Sequence, residues 1–272
     1  MTSTEPPCYE VFALRFATLD VATQDQFLMK TDPHDGPTAL DFFIWVVRGE
    51  GQCIVFDMGF GQRSSVARNR KLIHHPVDAL KALGINAADV PHVVISHLHY
   101  DHSGNAEFFS QATFHVQDDE VKFATGRYMC HRALSSAFDV ENVTDLVQNV
   151  FKGRVRFHDG DDELAPGISL HRIGGHTGGM QVLRVHTARG WVVLASDAAH
   201  FYRNLLTDNP FPIVLHIGDV LEGNKRLIAL ADSKQHVVPG HDPQVLQIYP
   251  LLPNSEVQIA CLHLPPLADA RP

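Results

Sequence analysis

The sequence predicts four layers in one α/β domain, with two β-sheets face to face in the middle and helices outside. Three observations point there. Two hairpins of the same design each end on an aspartate, at Asp57 and Asp197, about 140 residues apart, which reads as a duplicated β-rich half. Strands are followed by helices in both halves, and no low-complexity linker divides the chain. At 272 residues, with 44% apolar and 19% charged side chains, the chain is the size of one large domain and carries enough hydrophobe for a sizeable core. One domain over 1–272 is therefore expected.

Taken in order, Tyr9 to Phe16 alternates like a first strand, and Asp41 to Val47 is an apolar run rich in aromatic and β-branched residues. Glycines at Gly49 and Gly51 supply a turn, and Cys53 to Phe56 returns to Asp57, completing the first hairpin. Val77 to Leu83 has helical spacing and stops at Gly84, and Val90 to Ile95 reads as a buried strand delivering its end at Ser96. From about 118 to 156, apolar residues recur mostly at helical spacings, which predicts a helical insertion or cap. The second hairpin pairs Gln181–His186 with Trp191–Ala195 across Ala188-Arg189-Gly190. A last helix is expected from Ile217 to Ala231, then a short strand at His236–Val238 and a loop at Pro239-Gly240-His241-Asp242.

Composition excludes several functions. A net charge of −9 with no basic run argues against a nucleic-acid or anionic-membrane surface, and no apolar stretch is long enough for a membrane span. Met1 to Tyr9 has neither a basic nor an apolar segment of the secretory kind, and Cys8, Cys53, Cys130 and Cys261 are scattered, so a reduced cytoplasmic chain is expected. There is no G-x-S-x-G elbow, and Gly59 to Ser64 lacks the third glycine of a dinucleotide loop. Histidine is the anomaly, at 18 residues.

Those histidines cluster. In Ser96-His97-Leu98-His99-Tyr100-Asp101-His102-Ser103-Gly104, four candidate ligands fall within six residues at the end of a buried strand, an arrangement suited to two metals. Imidazole and carboxylate without thiolate favour zinc, with Mn, Fe or Co also accepted by such a set. Three further candidates complete it: His176 in Gly174-Gly175-His176-Thr177-Gly178-Gly179, Asp197 at the second hairpin's end, and His241 in Pro-Gly-His-Asp. Asp57 is expected to accept a hydrogen bond from a ligand histidine.

These motifs resemble the metallo-β-lactamase-fold hydrolases, and within them the N-acyl-homoserine lactonase-like branch, from the first hairpin through His241. The resemblance implies an αββα sandwich with two ions at the sheet edge, one held by His97, His99 and His176, the second by Asp101, His102 and His241, with Asp197 bridging. It further implies a quorum-quenching type of hydrolase acting on N-acyl-homoserine lactones. Two such ions can hold a bridging hydroxide that opens a small lactone ring, with Asp101, a ligand close to that hydroxide, as the expected proton shuttle, and an aromatic lactone is the variant that His200 suggests. Three residues after Asp197, where several homoserine-lactone hydrolases carry tyrosine, this chain has His200, which is expected either to face substrate or to orient Asp197. Apolar residues near the motifs, Met29, Tyr128, Phe201 and Tyr202, are the expected substrate walls. Apolar residues in the insertion and the early loop also suit a homodimer. The rival readings are a thiolester hydrolase of glyoxalase II type and a non-catalytic metal-binding module.

Overall fold

The computed structural model describes residues 5–268. In chain order its strands are β1 (Glu10–Ala22), β2 (Pro37–Gly49), β3 (Gln52–Phe56), β4 (Lys71–Leu72), β5 (His92–Val94), β6 (Thr113–Gln117) and β7 (Val155–His158). Then follow β8 (Asp162–Ala165), β9 (Ile168–Arg172), β10 (Gln181–Thr187), β11 (Gly190–Ser196), β12 (Val237–Pro239) and β13 (Ile259–Cys261). They form two sheets, one ordered β13-β1-β2-β3-β5-β6-β7 with β4 against β1, the other β12-β11-β10-β9-β8.

Three buried apolar clusters separate four layers. Side chains alternate across a strand, so Phe43, Trp45 and Val47 of β2 point between the sheets, against Leu170, Leu183 and Leu194 of the second sheet. Phe42, Ile44 and Val46 point the other way, into a cluster with Leu80 of the helix Pro76–Lys81 and Leu146 of the helix Val140–Phe151. On the far side, Val182, Val193 and Val237 pack against Leu227 of the helix Ile217–Leu230. A strand covered on both faces reads as one continuous apolar run, which is why β2 is legible without alternation. The αββα order is thus a direct consequence of where each strand's two faces are buried.

Both expected hairpins form, with Trp45 opposite Phe56 in the first and Leu183 opposite Leu194 in the second. The 118–156 stretch contains the helices Asp118–Ala124, Arg132–Ser135 and Val140–Phe151, but its end is not helical. Gly153 takes φ 69°, a left-handed stop, and Val155–Arg156 already belong to β7, paired in parallel with β6. Val90 and Pro91 precede β5 rather than belonging to it, since proline has no N–H for the ladder.

The pairing of β3 with β5 and of β11 with β12 is parallel. Four strands therefore deliver their carboxyl ends to one edge: β3 at Asp57, β5 just before Ser96, β11 before Asp197, and β12 before Gly240-His241.

Candidate metal centre

Seven side chains from four segments meet at that edge. One donor atom each from His97, His99, His176 and Asp197 lies within 4.8 Å of the others, and the same holds for Asp101, His102 and His241. His176 Nε2 is 3.0 Å from His97 Nε2 and 2.9 Å from His99 Nδ1. Asp197 stands between the two groups, with Oδ2 3.4 Å from His176 Nε2 and Oδ1 2.9 Å from His241 Nε2 and 3.2 Å from His102 Nε2. All are buried, Asp101 the least at 9% exposed.

The ring nitrogens turned away from the centre are held by the protein. His97 Nδ1 lies 2.9 Å from Ser96 Oγ, and His102 Nδ1 2.7 Å from Asp57 Oδ2. His176 Nδ1 and His241 Nδ1 reach the backbone oxygens of Ile213 and Asp41, at 2.6 and 2.8 Å. Fixing one nitrogen fixes the ring and leaves the other as the donor facing inward. Asp57 does this while also accepting from Ser96 N, Ser96 Oγ and Ser196 Oγ, at 2.7 to 2.9 Å. Asp57 and Ser196 both take left-handed backbone, φ 62° and 44°, strain of about 1–3 kcal/mol each that this network offsets.

The electrostatics suit cations. Burial, and then the neighbouring imidazoles, hold His97 far below the ordinary histidine range, and burial holds His99 there too and His176 at about 3, so these three rings stay neutral. Burial opposes charge on His102 and His241 as well, but the carboxylates of Asp197 and Asp101 outweigh it and push both upward. Burial alone would raise Asp197, yet His241, His102 and His200 hold it well below the carboxylate range. Among the described residues His102 Nε2 and Asp197 Oδ1 are buried and, though 3.2 Å apart, have no partner in hydrogen-bonding geometry. Orphaned inward donors in an all-nitrogen-and-carboxylate set are what divalent metal ligation satisfies, so the residues fit two borderline ions.

Sequence reasoning missed a second carboxylate. Glu120, fully buried at the start of the helix Asp118–Ala124, accepts from Leu98 N at 2.8 Å, Thr177 Oγ1 at 2.6 Å and Gly179 N at 2.9 Å. It ties the His97–His102 loop to the His176 loop. Gly179 is required there, because a Cβ would run into the backbone nitrogen of Glu120, and a Cβ on Gly175 would meet Val220 N at 2.6 Å. In sequence Glu120 follows two aspartates and looks like a solvated helix start, so no signal marked it.

His200 lies beside the centre. Its Nε2 is 2.9 Å from Asp197 Oδ2, and its ring stacks on Phe211 at 3.4 Å between centroids and 7° between planes. A cavity of about 540 Å³ opens beside His99 and His176, walled by Tyr100, Phe123, Leu134 and Ile213 among others. His200 is not in its lining, and neither are Met29, Tyr128, Phe201 or Tyr202, although Phe201 lines a separate cavity with Phe27 and Arg203. Tyr202 is buried in the core between the sheets, Phe201 stacks on Phe27, Met29 is mostly exposed, and Tyr128 packs beside Phe123 with half its surface in water. Hydrophobicity after a strand end does not distinguish a wall from a core position.

Comparison with known proteins follows the same lines. The sequence profile of the metallo-beta-lactamase superfamily matches residues 41–241. The chain is 34% identical over 139 residues to the N-acyl homoserine lactonase AiiB of Agrobacterium fabrum (strain C58 / ATCC 33970), 47% of each chain. It is 30% identical over 138 residues to the N-acyl homoserine lactonase AiiA of Bacillus thuringiensis subsp. kurstaki, 50% of this chain and 49% of that one. The matches thus span about half the length of these curated relatives. Among solved structures, a quorum-quenching N-acyl homoserine lactone lactonase superposes with a TM-score of 0.72 at 21% identity, covering 88% of this chain and 95% of that one. The hydrolase AbOPH superposes with a TM-score of 0.71 at 18% identity, covering 94% and 95%.

Proposed function

The chain belongs to the metallo-β-lactamase superfamily, and from that premise we propose that it is a two-metal hydrolase that opens a lactone ring, an N-acyl-homoserine lactone or a related aromatic lactone. The observation that carries this reading is the pair of donor groups sharing Asp197 beside a largely apolar cavity. In this reading His97, His99 and His176 hold one ion, Asp101, His102 and His241 the other, and Asp197 both. When bound, such a pair supplies a hydroxide at neutral pH and polarises the substrate carbonyl.

The chain's own groups do the rest. Asp101 Oδ2 lies 3.7 Å from His102 Nε2 and 3.9 Å from His241 Nε2 and is the least buried member of the cluster, and in this reading it takes a proton and returns it to the leaving ring oxygen. His200, clamped by Phe211, holds Asp197 Oδ2 in place, which supports the orienting role over the substrate-facing one. Segment 118–156 acts as a cap in this reading, since Phe123 and Leu134 wall the cavity and exclude water from the reacting carbonyl. Zinc as the metal, a cytoplasmic location and a quorum-signal substrate are the finer parts of the same proposal.

The test is chelator-sensitive proton release, followed at constant pH, from acyl-homoserine lactones of graded length and from aromatic lactones. Turnover of either series supports the reading. Silence from protein that holds two ions per chain overturns it, and thiolesters become the substrates to try.

A further inference from the structure

The cavity beside His99 and His176 is not uniformly apolar, because Arg68 and Arg70 also line it. The two arginines differ. Arg68 is neutralised by Asp139 at 2.7 Å, donates to the backbone oxygens of Ser136 and Phe138, and lies over the Tyr100 ring at 4.0 Å. Arg70 donates from Nε to Tyr100 Oη at 3.0 Å and from Nη1 to the backbone oxygen of Arg68 at 2.8 Å. Among the described residues no carboxylate forms an ion pair with it, and Nη2 is not engaged by either bond. Its backbone is anchored on both sides, N to Ser65 O and O to Ser65 Oγ, at 2.9 and 2.8 Å.

A half-buried guanidinium normally finds an anion, because its desolvation is otherwise uncompensated. Here two of its five N–H donors are spent on fixing its position, one on Nη1 and both on Nη2 are left over, and among the described residues no carboxylate lines the cavity. We propose that Arg70 is a specificity-determining residue that receives a carboxylate substituent of the substrate, so that the preferred substrate is an anionic lactone of modest size. The cavity volume, about 540 Å³, accommodates a small ring and a short substituent. The donors left on Nη1 and Nη2 form the fork that a carboxylate's two oxygens match. Tyr100 links the two parts of the site, since it follows His99 in sequence and its hydroxyl orients Arg70. The inference rests on the lactonase reading for the reacting end of the substrate, though not for the anion itself.

The experiment uses the metal-loaded protein and a matched pair: N-hexanoyl-homoserine lactone and its analogue ending in a carboxylate, together with the corresponding lactams, which bind without ester opening. Binding of the lactams by calorimetry and kcat/KM of the lactones are measured for the wild type, Arg70→Lys and Arg70→Met. The expected result is a preference of at least tenfold for the carboxylate member in both series. Arg70→Met reduces it to within threefold and Arg70→Lys keeps most of it. Raising the salt from 50 to 500 mM erodes the wild-type preference severalfold, a reading that needs no variant to fold. Equal affinities, no affinity for either lactam, or a preference that survives in Arg70→Met overturns the proposal. A lactam preference without turnover of either lactone overturns the lactonase reading instead and leaves the anion site standing, as for a carboxylate-bearing thiolester.

Discussion

Asp197 is the residue on which the centre turns, because each of its oxygens faces a different group of histidines and its carboxylate is kept ionised by them. His200 touches one of those oxygens too, and a donor atom of it lies within 4.8 Å of donor atoms of Asp197 and His241. Replacing His200 with alanine removes that contact and the stack on Phe211, so metal affinity is expected to fall about 10- to 100-fold while KM for a lactone changes little in protein saturated with metal. Equilibrium metal titration checks it, and an increase in KM with unchanged metal affinity assigns the residue to substrate instead. For Asp101 the expectation is reversed. Asp101→Asn in metal-saturated protein is expected to lower kcat by about 10²- to 10⁴-fold, the usual worth of a positioned proton carrier, and single-turnover kinetics at known metal content measures it. What sequence conveyed at this scale was the cluster, since three imidazoles and a carboxylate crowded into six residues at a buried strand end are a set suited to a metal, and the fold brings them together. Arg70 and Glu120 were illegible because an isolated charged side chain looks solvated until the fold buries it.

At the scale of elements, the centre is assembled by strand ends and then locked by one helix start. Carboxyl ends of β3, β5, β11 and β12 bring Asp57, His97, Asp197 and His241 to one edge, and this was readable because both hairpins end in an apolar run followed by an aspartate. The lock was not readable. Glu120 accepts three hydrogen bonds from two loops that are 79 residues apart at His97 and His176, so its removal leaves buried donors without partners. Glu120→Ala is expected to cost on the order of 3 kcal/mol in denaturant unfolding and to weaken metal binding in both loops together. Were the loss of stability to occur with metal affinity intact, Glu120 would be a core residue and nothing more. The strands β6 to β9 escaped detection for a related reason: they are four or five residues long and carry His115, His158 and His171, polar side chains that their burial alone makes part of a sheet.

For the whole molecule, a row of histidines running across the first sheet sets how stability responds to acid. His115 on β6 lies with Nε2 3.2 Å from His92 Nδ1 on β5 and with Nδ1 3.0 Å from His158 Nε2 on β7, and His158 Nδ1 in turn reaches Asp162 Oδ2 on β8 at 2.8 Å. Burial, then His158 and His92, push His115 down to about 3, with Arg156 adding to the shift and Asp162 opposing it. Burial also lowers His92 and His158. A histidine whose folded value is depressed stays neutral in the native chain while the unfolded chain takes up a proton near its ordinary 6.5, so the unfolded state gains as pH falls. The stability is therefore fully present above about 6.5 and is lost progressively toward 3, at about 1.4 kcal/mol per pH unit for His115. Denaturant unfolding of the wild type and of His115→Phe at about pH 7, 6 and 5 tests this. The wild type is expected to lose about 2 kcal/mol more than the variant between pH 7 and 5, because ligand histidines and surface carboxylates are common to both chains and cancel in the difference. Parallel pH dependences would mean that His115 is protonated in the folded chain, against which stands the lack, among the described residues, of a carboxylate hydrogen-bonded to its ring.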